Sequence, residues 1–321
     1  MKGALLAMLT LAPASAGAFD IAFPVDCRLG KDCFIQQYVD RDASHGTQDF
    51  TCGPLSYDGH DGTDIAVPTL ADMMDGVPVT AADDGQVLRV RTSVPDITVA
   101  GAPVQFPEGQ DCGNGVVIDH GDGWQTQYCH LRRGSTRLHE GDRVARGQVI
   151  GEVGQSGNAE FPHLHFSLRK DGATLDPFAP TLPAGACAPP GGTAALWSEA
   201  VTYQAGGIVG IGFADQVPTF DQIKQGLPAA KLPADAPAVV LWVHLYGHRA
   251  GDRLRMTITG PLGTFSDQTQ TLERTQARAF RAIGRKIADR PNWTGGQYRA
   301  DVVLLRDGAE IDRRRAVIDM P

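Results

Sequence analysis

The sequence predicts a mainly β protein, with a strand-rich first half followed by a small β-sandwich. Short apolar runs with period-two alternation recur along the chain, each bounded by Gly, Asp or Pro. Helical periodicity is scarce, and a stretch rich in Pro and Gly interrupts the chain at residues 183–194. The length of 321 residues is enough for two domains of ordinary size. We therefore expect domains over residues 19–182 and 195–321, joined by a linker over 183–194.

The composition is that of a globular protein with a buried core. Hydrophobic residues make up 42% of the chain and charged residues 21%. The formal net charge of -8 gives no general attraction to nucleic acid or to anionic lipid. The single basic run, residues 313–315, follows Asp312 and is interpreted as a solvated strand edge. We expect no nucleic-acid partner.

The first 18 residues have the pattern of a secretory signal peptide. Lys2 precedes an apolar run over residues 4–12, and small residues suited to signal peptidase follow at 14–18. The run is too short for a membrane span, which needs about 20 residues. An uncleaved anchor is the alternative. We expect an exported protein, periplasmic or extracellular, without a membrane span.

The cysteine count agrees with export. Six cysteines all precede residue 190, and an even number behind a signal peptide favours three disulfides over thiolate chemistry. The spacing does not choose among the pairings. No C-x-x-C pair suggests a zinc–thiolate site. The six are Cys27, Cys33, Cys52, Cys112, Cys129 and Cys187.

Individual elements follow from the apolar alternation and the turn residues. In the first half we predict strands over residues 77–90, 116–120, 124–130 and 163–169, with the middle two forming a hairpin, and one short helix within 34–39. In the second half we predict strands over residues 238–246, 253–259, 297–305 and 311–318. Residues 206–212 are interpreted as a glycine-bearing strand, and 220–226 as a short helix or a loop.

Four of the nine histidines fall in compact motifs. His60-x-x-x-Asp64 could bind one metal ion if the chain bends at Asp61-Gly62, although alone it fits a solvent-facing turn better. In His163-Leu164-His165, strand alternation puts both imidazoles on one face, where one could bind metal and the other reach a substrate.

The fourth of these histidines, His130, and the other five carry weaker signals. His130 follows Tyr128 at the end of the hairpin, and alone would more often be a polar residue near a sheet edge. His120 fits a structural role in the hairpin turn. Four others have no partner at useful spacing, and we interpret the last two as surface or turn residues. These four are His45, His139, His244 and His248.

Together, His60-x-x-x-Asp64, Tyr128-x-His130 and Pro162-His163-x-His165 resemble the signature of lysostaphin/LytM-type zinc metallopeptidases. The resemblance covers about residues 55 to 180. It implies a twisted antiparallel β-sheet with a groove across it, the duplicated hybrid motif fold. It also implies one Zn²⁺ per chain.

Carried over to this sequence, the family signature makes His60, Asp64 and His165 the zinc ligands. His130 and His163 become the unliganded catalytic pair, one accepting a proton and the other steadying the oxyanion, in an order that stays open. Tyr128 could add a hydrogen bond. Apparent insertions at residues 69–75 and 92–111 affect the walls of the groove, and hence the substrate.

The leading functional hypothesis is a zinc endopeptidase that cuts peptide cross-links of bacterial peptidoglycan. A secreted zinc peptidase for ordinary or glycine-rich proteins is an alternative. A non-catalytic factor that binds the wall or activates an amidase is another, although all five key positions are intact. The second domain would bind the wall or a protein partner and take no part in bond cleavage.

Overall fold

The computed structural model describes residues 19–96, 109–183, 185–287 and 292–321. The predicted signal peptide and most of the 92–111 insertion lie outside these ranges. Ten strands and one helix make up the first half of the described chain. The strands are β1 (Phe34–Gln37), β2 (Thr63–Ala66), β3 (Pro78–Thr80), β4 (Gly85–Arg91), β5 (Asn114–Gly121), β6 (Trp124–Leu131), β7 (Arg143–Val144), β8 (Val149–Glu152), β9 (His163–Lys170) and β10 (Ala173–Leu175); the helix is α1 (Leu70–Asp75).

A large antiparallel sheet organises this half. Its strand order is β1-β2-β9-β6-β5-β4-β7, with β10 paired to β9, while β3 and β8 form a separate pair. Ile65, Leu164 and Phe166 are buried in the core beneath the large sheet. Because side chains alternate along a strand, Asp64, His163 and His165 lie on the opposite face, which we call the site face.

Most of the predicted strands of the first half are present. The hairpin is β5–β6, and β9 begins at His163. The predicted strand over residues 77–90 is divided into β3 and β4 by a turn over 81–84. The helix predicted within 34–39 is wrong, since residues 34–37 form β1 and pair with β2. Tertiary pairing of two buried apolar residues, Phe34 and Ile35, explains the difference.

The second half forms two antiparallel sheets packed face to face, which confirms the predicted β-sandwich. Their strand orders are β11-β12-β15 and β14-β13-β16-β17. Leu241, Val243 and Leu245 pack with apolar residues of the facing sheet. The elements are β11 (Gly207–Ala214), α2 (Phe220–Gln225), β12 (Ala238–His248), β13 (Arg253–Gly260), β14 (Gly263–Thr271), β15 (Gln276–Lys286), β16 (Gly296–Arg306) and β17 (Ala309–Met320).

Two histidines of this half are not where we predicted them. His244 and His248 are buried within β12, at 1% and 0% exposure, and are therefore neither surface nor turn residues. The predicted strand ends at residue 246, which places His248 in a turn. In the structure β12 pairs with β15 as far as His248.

All six cysteines are paired, which confirms three disulfides: Cys27–Cys33, Cys52–Cys187 and Cys112–Cys129. The second bridge ties the Pro/Gly-rich segment to the first half. Ala188 and Trp197 also belong to the first hydrophobic cluster, and Tyr203 packs against it. We call residues 19–203 the first unit and residues 207–321 the second unit. The division into independent domains stays a prediction.

None of the helices in the described part of the chain is long and apolar enough to cross a membrane.

Candidate active site

Three side chains on the site face bring one donor atom each to a common point. His60 Nε2 is 3.1 Å from Asp64 Oδ1 and 3.1 Å from His165 Nδ1, and these last two atoms are 3.0 Å apart. In a tetrahedral zinc site with bonds of about 2.0 to 2.1 Å, ligand atoms are about 3.3 Å from each other. The group is buried and has the spacing of a metal site.

The bend that joins the first motif requires its glycine. β2 begins only at Thr63, so the chain turns between His60 and Asp64, as the sequence analysis required. A Cβ atom at Gly62 would lie 2.6 Å from His165 Nε2, closer than real Cβ atoms approach. A side chain here would therefore displace His165.

Each histidine of the triad is held by a second hydrogen bond. His60 Nδ1 donates to the Tyr38 carbonyl oxygen at 2.7 Å. His165 Nε2 lies 3.1 Å from both Asp61 Oδ1 and Ser167 Oγ. Such partners fix the tautomer and the ring orientation, which leaves His60 Nε2 and His165 Nδ1 as the atoms that could bind a metal ion.

The other two predicted histidines lie beside the triad. The ring centroids of His130 and His163 are 4.6 Å apart, and His163 Nε2 is 3.6 Å from Asp64 Oδ1. His130 Nδ1 donates to the Ser156 carbonyl and His163 Nδ1 to the Phe161 carbonyl, each at 2.8 Å. With the proton held on Nδ1, each Nε2 is free to accept one.

The site favours neutral imidazoles at His130 and His163 beside an ionised carboxylate. Burial lowers the pKa of His163, and lowers that of His130 well below its usual value. Burial alone would raise the pKa of Asp64, but the facing histidines hold it well below its ordinary range. Chiefly through its hydrogen bond with His165, the pKa of Asp61 falls to about 2. The cluster thus offers an anionic ligand and two neutral bases.

Two other residues singled out from the sequence play structural parts. The Tyr128 hydroxyl accepts hydrogen bonds from the Ala82 amide and the Thr126 hydroxyl, so its contacts lie in the core. His120 also bonds Thr126, at 2.7 Å, and has the structural environment expected of the hairpin turn. Neither side chain makes a hydrogen bond with the five clustered residues among the described contacts.

Asp61 and the three carbonyls that orient the histidines are parts of the site that the sequence did not predict. Asp61 was treated only as part of a bend, although its other oxygen accepts from Arg169 at 3.2 Å. Its position next to a metal-ligand motif was an available signal. Every residue has a backbone carbonyl, so the residue type does not show which carbonyls orient the histidines. The sequence therefore could not indicate those of Tyr38, Ser156 and Phe161.

A buried His-Asp-His group that could hold a metal ion lies beside two neutral imidazoles on one face of an antiparallel sheet. Residues 58–177 match peptidase family M23, and this confirms the resemblance to lysostaphin/LytM-type peptidases. The matched residues all lie within the first unit.

The match to individual relatives is confined to the same region. The chain is 32% identical over 130 residues to the peptidoglycan DD-endopeptidase ShyA of Vibrio cholerae, covering 40% of this chain and 25% of that protein. It is 36% identical over 124 residues to the DD-carboxypeptidase/endopeptidase Mpg of Neisseria meningitidis, covering 39% and 23%. The chain therefore spans about a quarter of the length of these relatives.

Among solved structures, a mutant catalytic domain of the prophage-encoded M23 protein EnpA from Enterococcus faecalis is 26% identical. The likeness covers 51% of this chain and 93% of that one, with a TM-score of 0.30. The family match stops at residue 177, so the second unit is described from its own contacts alone.

Proposed function

We propose that this protein is an exported zinc endopeptidase that hydrolyses peptide cross-links of bacterial peptidoglycan. The observation that carries the proposal is the convergence of five side chains: three donor atoms within 3.1 Å of one another and two imidazoles with a free Nε2. The match to peptidase family M23 supports hydrolysis of a peptide bond. The similar proteins that are named peptidoglycan DD-endopeptidases support peptidoglycan as the substrate.

The donor set suits zinc. Two imidazole nitrogens and one carboxylate are an ordinary ligand set for catalytic zinc, with the fourth position left to water or substrate. Histidine ligands need hydrogen bonds on their second ring nitrogen. The Tyr38 carbonyl accepts one from His60, and the Asp61 carboxylate pairs with His165. In the described residues, the other candidate cluster contains Cys27 and Cys33, whose sulfur atoms are bonded to each other. We therefore expect one ion per chain.

The chain's own residues supply proton transfer and orientation. When bound, zinc supplies a Lewis acid that makes water a nucleophile at neutral pH. His130 and His163 hold their protons on Nδ1, so either Nε2 can take a proton from the attacking water. The imidazolium formed by that transfer carries a proton on Nε2, which it can donate to the departing amine. Burial of both rings keeps them neutral and ready to accept.

Export fits the covalent structure and the substrate. Three disulfides persist only in an oxidising compartment such as the periplasm or the exterior. Peptidoglycan would be met in the same compartments. We therefore propose that a wall peptide binds at the site face.

The decisive experiment digests purified peptidoglycan beside casein, with zinc quantified in the same preparation. We expect soluble wall peptides and new amino termini from the wall, with casein left intact. A His139→Ala protein, altered at an exposed imidazole, is the matched control. Cleavage of casein alone would favour a general peptidase. A zinc-loaded protein that cuts neither substrate would contradict the proposal.

The metal assignment is tested separately by Asp64→Ala. Removing the only carboxylate of the triad should leave zinc largely absent after gel filtration, because two imidazoles alone hold it weakly. Elemental analysis measures the zinc content. Asp58→Ala, altered at an exposed carboxylate, should stay fully loaded. Full zinc occupancy in Asp64→Ala would show that the ligands are elsewhere.

A further inference from the structure

The second unit packs on the same sheet face that carries the candidate active site. Ala66 lies directly opposite His163 where β2 pairs with β9, and Phe34 lies opposite Ala66 where β1 pairs with β2. Phe34 and Ala66 form a buried cluster with Tyr246 of β12, the two aromatic rings being 4.3 Å apart. The second unit therefore covers the site face from the strand next to His163 outwards.

Arg278 of β15 is the polar centre of this contact. Its guanidinium carbon lies 4.2 Å from the ring centroid of Phe161 and 5.3 Å from that of Phe34. Its Nε donates to Gln36 Oε1 at 3.0 Å, and Gln36 Nε2 donates to the Ala277 carbonyl at 2.9 Å. These contacts hold β15 against β1 and place a cation on the face of Phe161.

The guanidinium has no acidic partner in the described part of the chain. Its Nη2 is buried without a hydrogen bond, and no described carboxylate lies within ion-pair distance of it. A buried cation without a counter-ion depends on the aromatic faces for much of its stabilisation. The contact with the Phe161 ring therefore stabilises the position of the Arg278 side chain.

Phe161 in turn contacts His163 twice. Its carbonyl oxygen accepts the Nδ1–H of His163 at 2.8 Å, and the two ring centroids are 4.5 Å apart. Pro162 lies between them and limits the backbone of Phe161 to extended conformations. A displacement of the Phe161 ring that shifts the backbone would move the carbonyl that fixes the tautomer of His163.

We propose that the second unit is a working part of the catalytic centre, in which Arg278 is a positioning residue that holds Phe161 and thereby orients His163. The proposal rests on the proposed peptidase function for its kinetic effect. It revises the expectation that the second half takes no part in bond cleavage. One wall of the site is built by a unit that carries none of the five clustered residues.

The kinetic test compares Arg278→Met with Arg285→Met in the full chain. Arg285 lies on the same strand and stacks on Phe265 at 5.2 Å, inside the second unit, so its variant is a matched control. We expect kcat of Arg278→Met to fall about 10-fold to 100-fold, as for misplaced catalytic groups, while KM changes little. Zinc content should be unchanged. Arg278→Lys, which keeps the cation, should recover part of the loss.

A spectroscopic test does not depend on hydrolysis. Imidazole ¹⁵N spectra of the wild-type chain should show His163 as the Nδ1–H tautomer with a slowly exchanging proton. In Arg278→Met that proton should exchange faster and the tautomer signals should average, whereas Arg285→Met should match wild type. If the wild-type chain cuts no wall peptide, the proposed function fails, yet these spectra still decide the role of Arg278.

A second variant, Phe161→Leu, tests the proposal if Arg278→Met does not fold. Phe161→Leu keeps the carbonyl but removes the ring on which Arg278 stacks, so it should reproduce the loss in kcat. The double variant should be no slower than the slower single variant, because both remove one contact. An unchanged His163 spectrum in the folded Arg278 or Phe161 variant, or multiplicative losses in the double variant, would overturn the proposal.

Discussion

At the scale of single residues, Asp61 links the metal group to the sheet around it. One of its carboxylate oxygens lies 3.1 Å from His165 Nε2, and the other accepts from Arg169 at 3.2 Å. Arg169 also donates to Gln127 on the neighbouring strand at 2.6 Å. Because a carboxylate behind a histidine ligand raises its basicity and fixes its ring, Asp61 should strengthen zinc binding without touching the ion.

We predict that Asp61→Ala weakens zinc binding about 10-fold to 100-fold, the usual cost of losing such an outer partner. Competition with a chelator of known affinity measures this in the full chain. Asp61→Asn keeps an acceptor for His165 and should lose less. Asp58→Ala removes a carboxylate that pairs only with the exposed His45 and should bind zinc as wild type does. Equal affinity in Asp61→Ala would rule out this role.

The two unliganded histidines should behave differently from the triad. We predict that His130→Ala and His163→Ala keep their zinc but lose about 10²-fold to 10⁴-fold in the rate of wall-peptide hydrolysis. Their Nε2 atoms are free to transfer protons, and neither belongs to the group of three donor atoms. Zinc content and single-turnover rates should be measured on the same samples. Wild-type rates in either variant would remove it from the mechanism.

What the sequence could predict at this scale depends on residue identity. Strand alternation alone indicated His163 and His165, whereas the resemblance to the family signature was needed to select His60, Asp64 and His130. The oxygen atoms that orient the histidines are mostly backbone carbonyls, such as those of Ser156 and Phe161. Their positions depend on loop conformation, which residue spacing does not determine.

At the scale of elements, the sequence predicts the strands that are bounded by turn residues. It does not predict a strand that forms only because a distant segment pairs with it. β9 and the β5–β6 hairpin begin close to where their alternation predicts. β1 is only four residues long and becomes a strand because β2 pairs with it, which no local pattern reveals. The apparent insertion at residues 69–75 contains α1, whose first turn is capped by the Thr69 hydroxyl.

The buried histidines of β12 should make the second unit sensitive to acid. Burial, together with the nearby cations of Arg278 and Lys224, lowers the pKa of His244 to about 3. The unfolded chain binds this proton near pH 6.5, so the contribution of His244 to stability is complete above that pH and is lost as the pH falls towards 3. Burial, with the cations of Arg281 and Arg306, also lowers the pKa of His248, while Asp252 opposes the shift.

We therefore predict that the melting temperature falls between pH 6.5 and pH 4, and falls less steeply in His244→Leu. Leucine fills a similar volume and has no proton to bind, whereas His244 Nε2 has no hydrogen-bond partner among the described residues. Calorimetry at several pH values measures the slope. His139→Ala, altered at an exposed imidazole, should retain the wild-type slope. Identical slopes in all three proteins would contradict the account.

At the scale of the whole molecule, the Pro/Gly-rich segment is packed rather than free. Cys187 is bonded to Cys52, 135 residues earlier, and Ala188 is buried. Leu196 O accepts from the Ile21 amide, and Trp197 packs in the first core. The composition predicted a linker because Pro and Gly carry no periodic pattern. The contacts that order the segment come from distant residues, so sequence spacing could not predict them.

The place where the chain can be cut follows from these contacts. We predict that a chain ending at Ala205 folds and binds zinc but hydrolyses wall peptide more slowly than the full chain, because Arg278 is gone. A chain ending at Pro190 also loses Trp197, a buried aromatic side chain whose removal typically costs about 3 to 5 kcal/mol. Its melting temperature should therefore be clearly lower. The two chains differ only in residues 191–205, so melting curves compare them directly. Equal melting temperatures would show that residues 191–205 do not stabilise the first unit. Full activity in the chain that ends at Ala205 would show that the second unit is dispensable for catalysis.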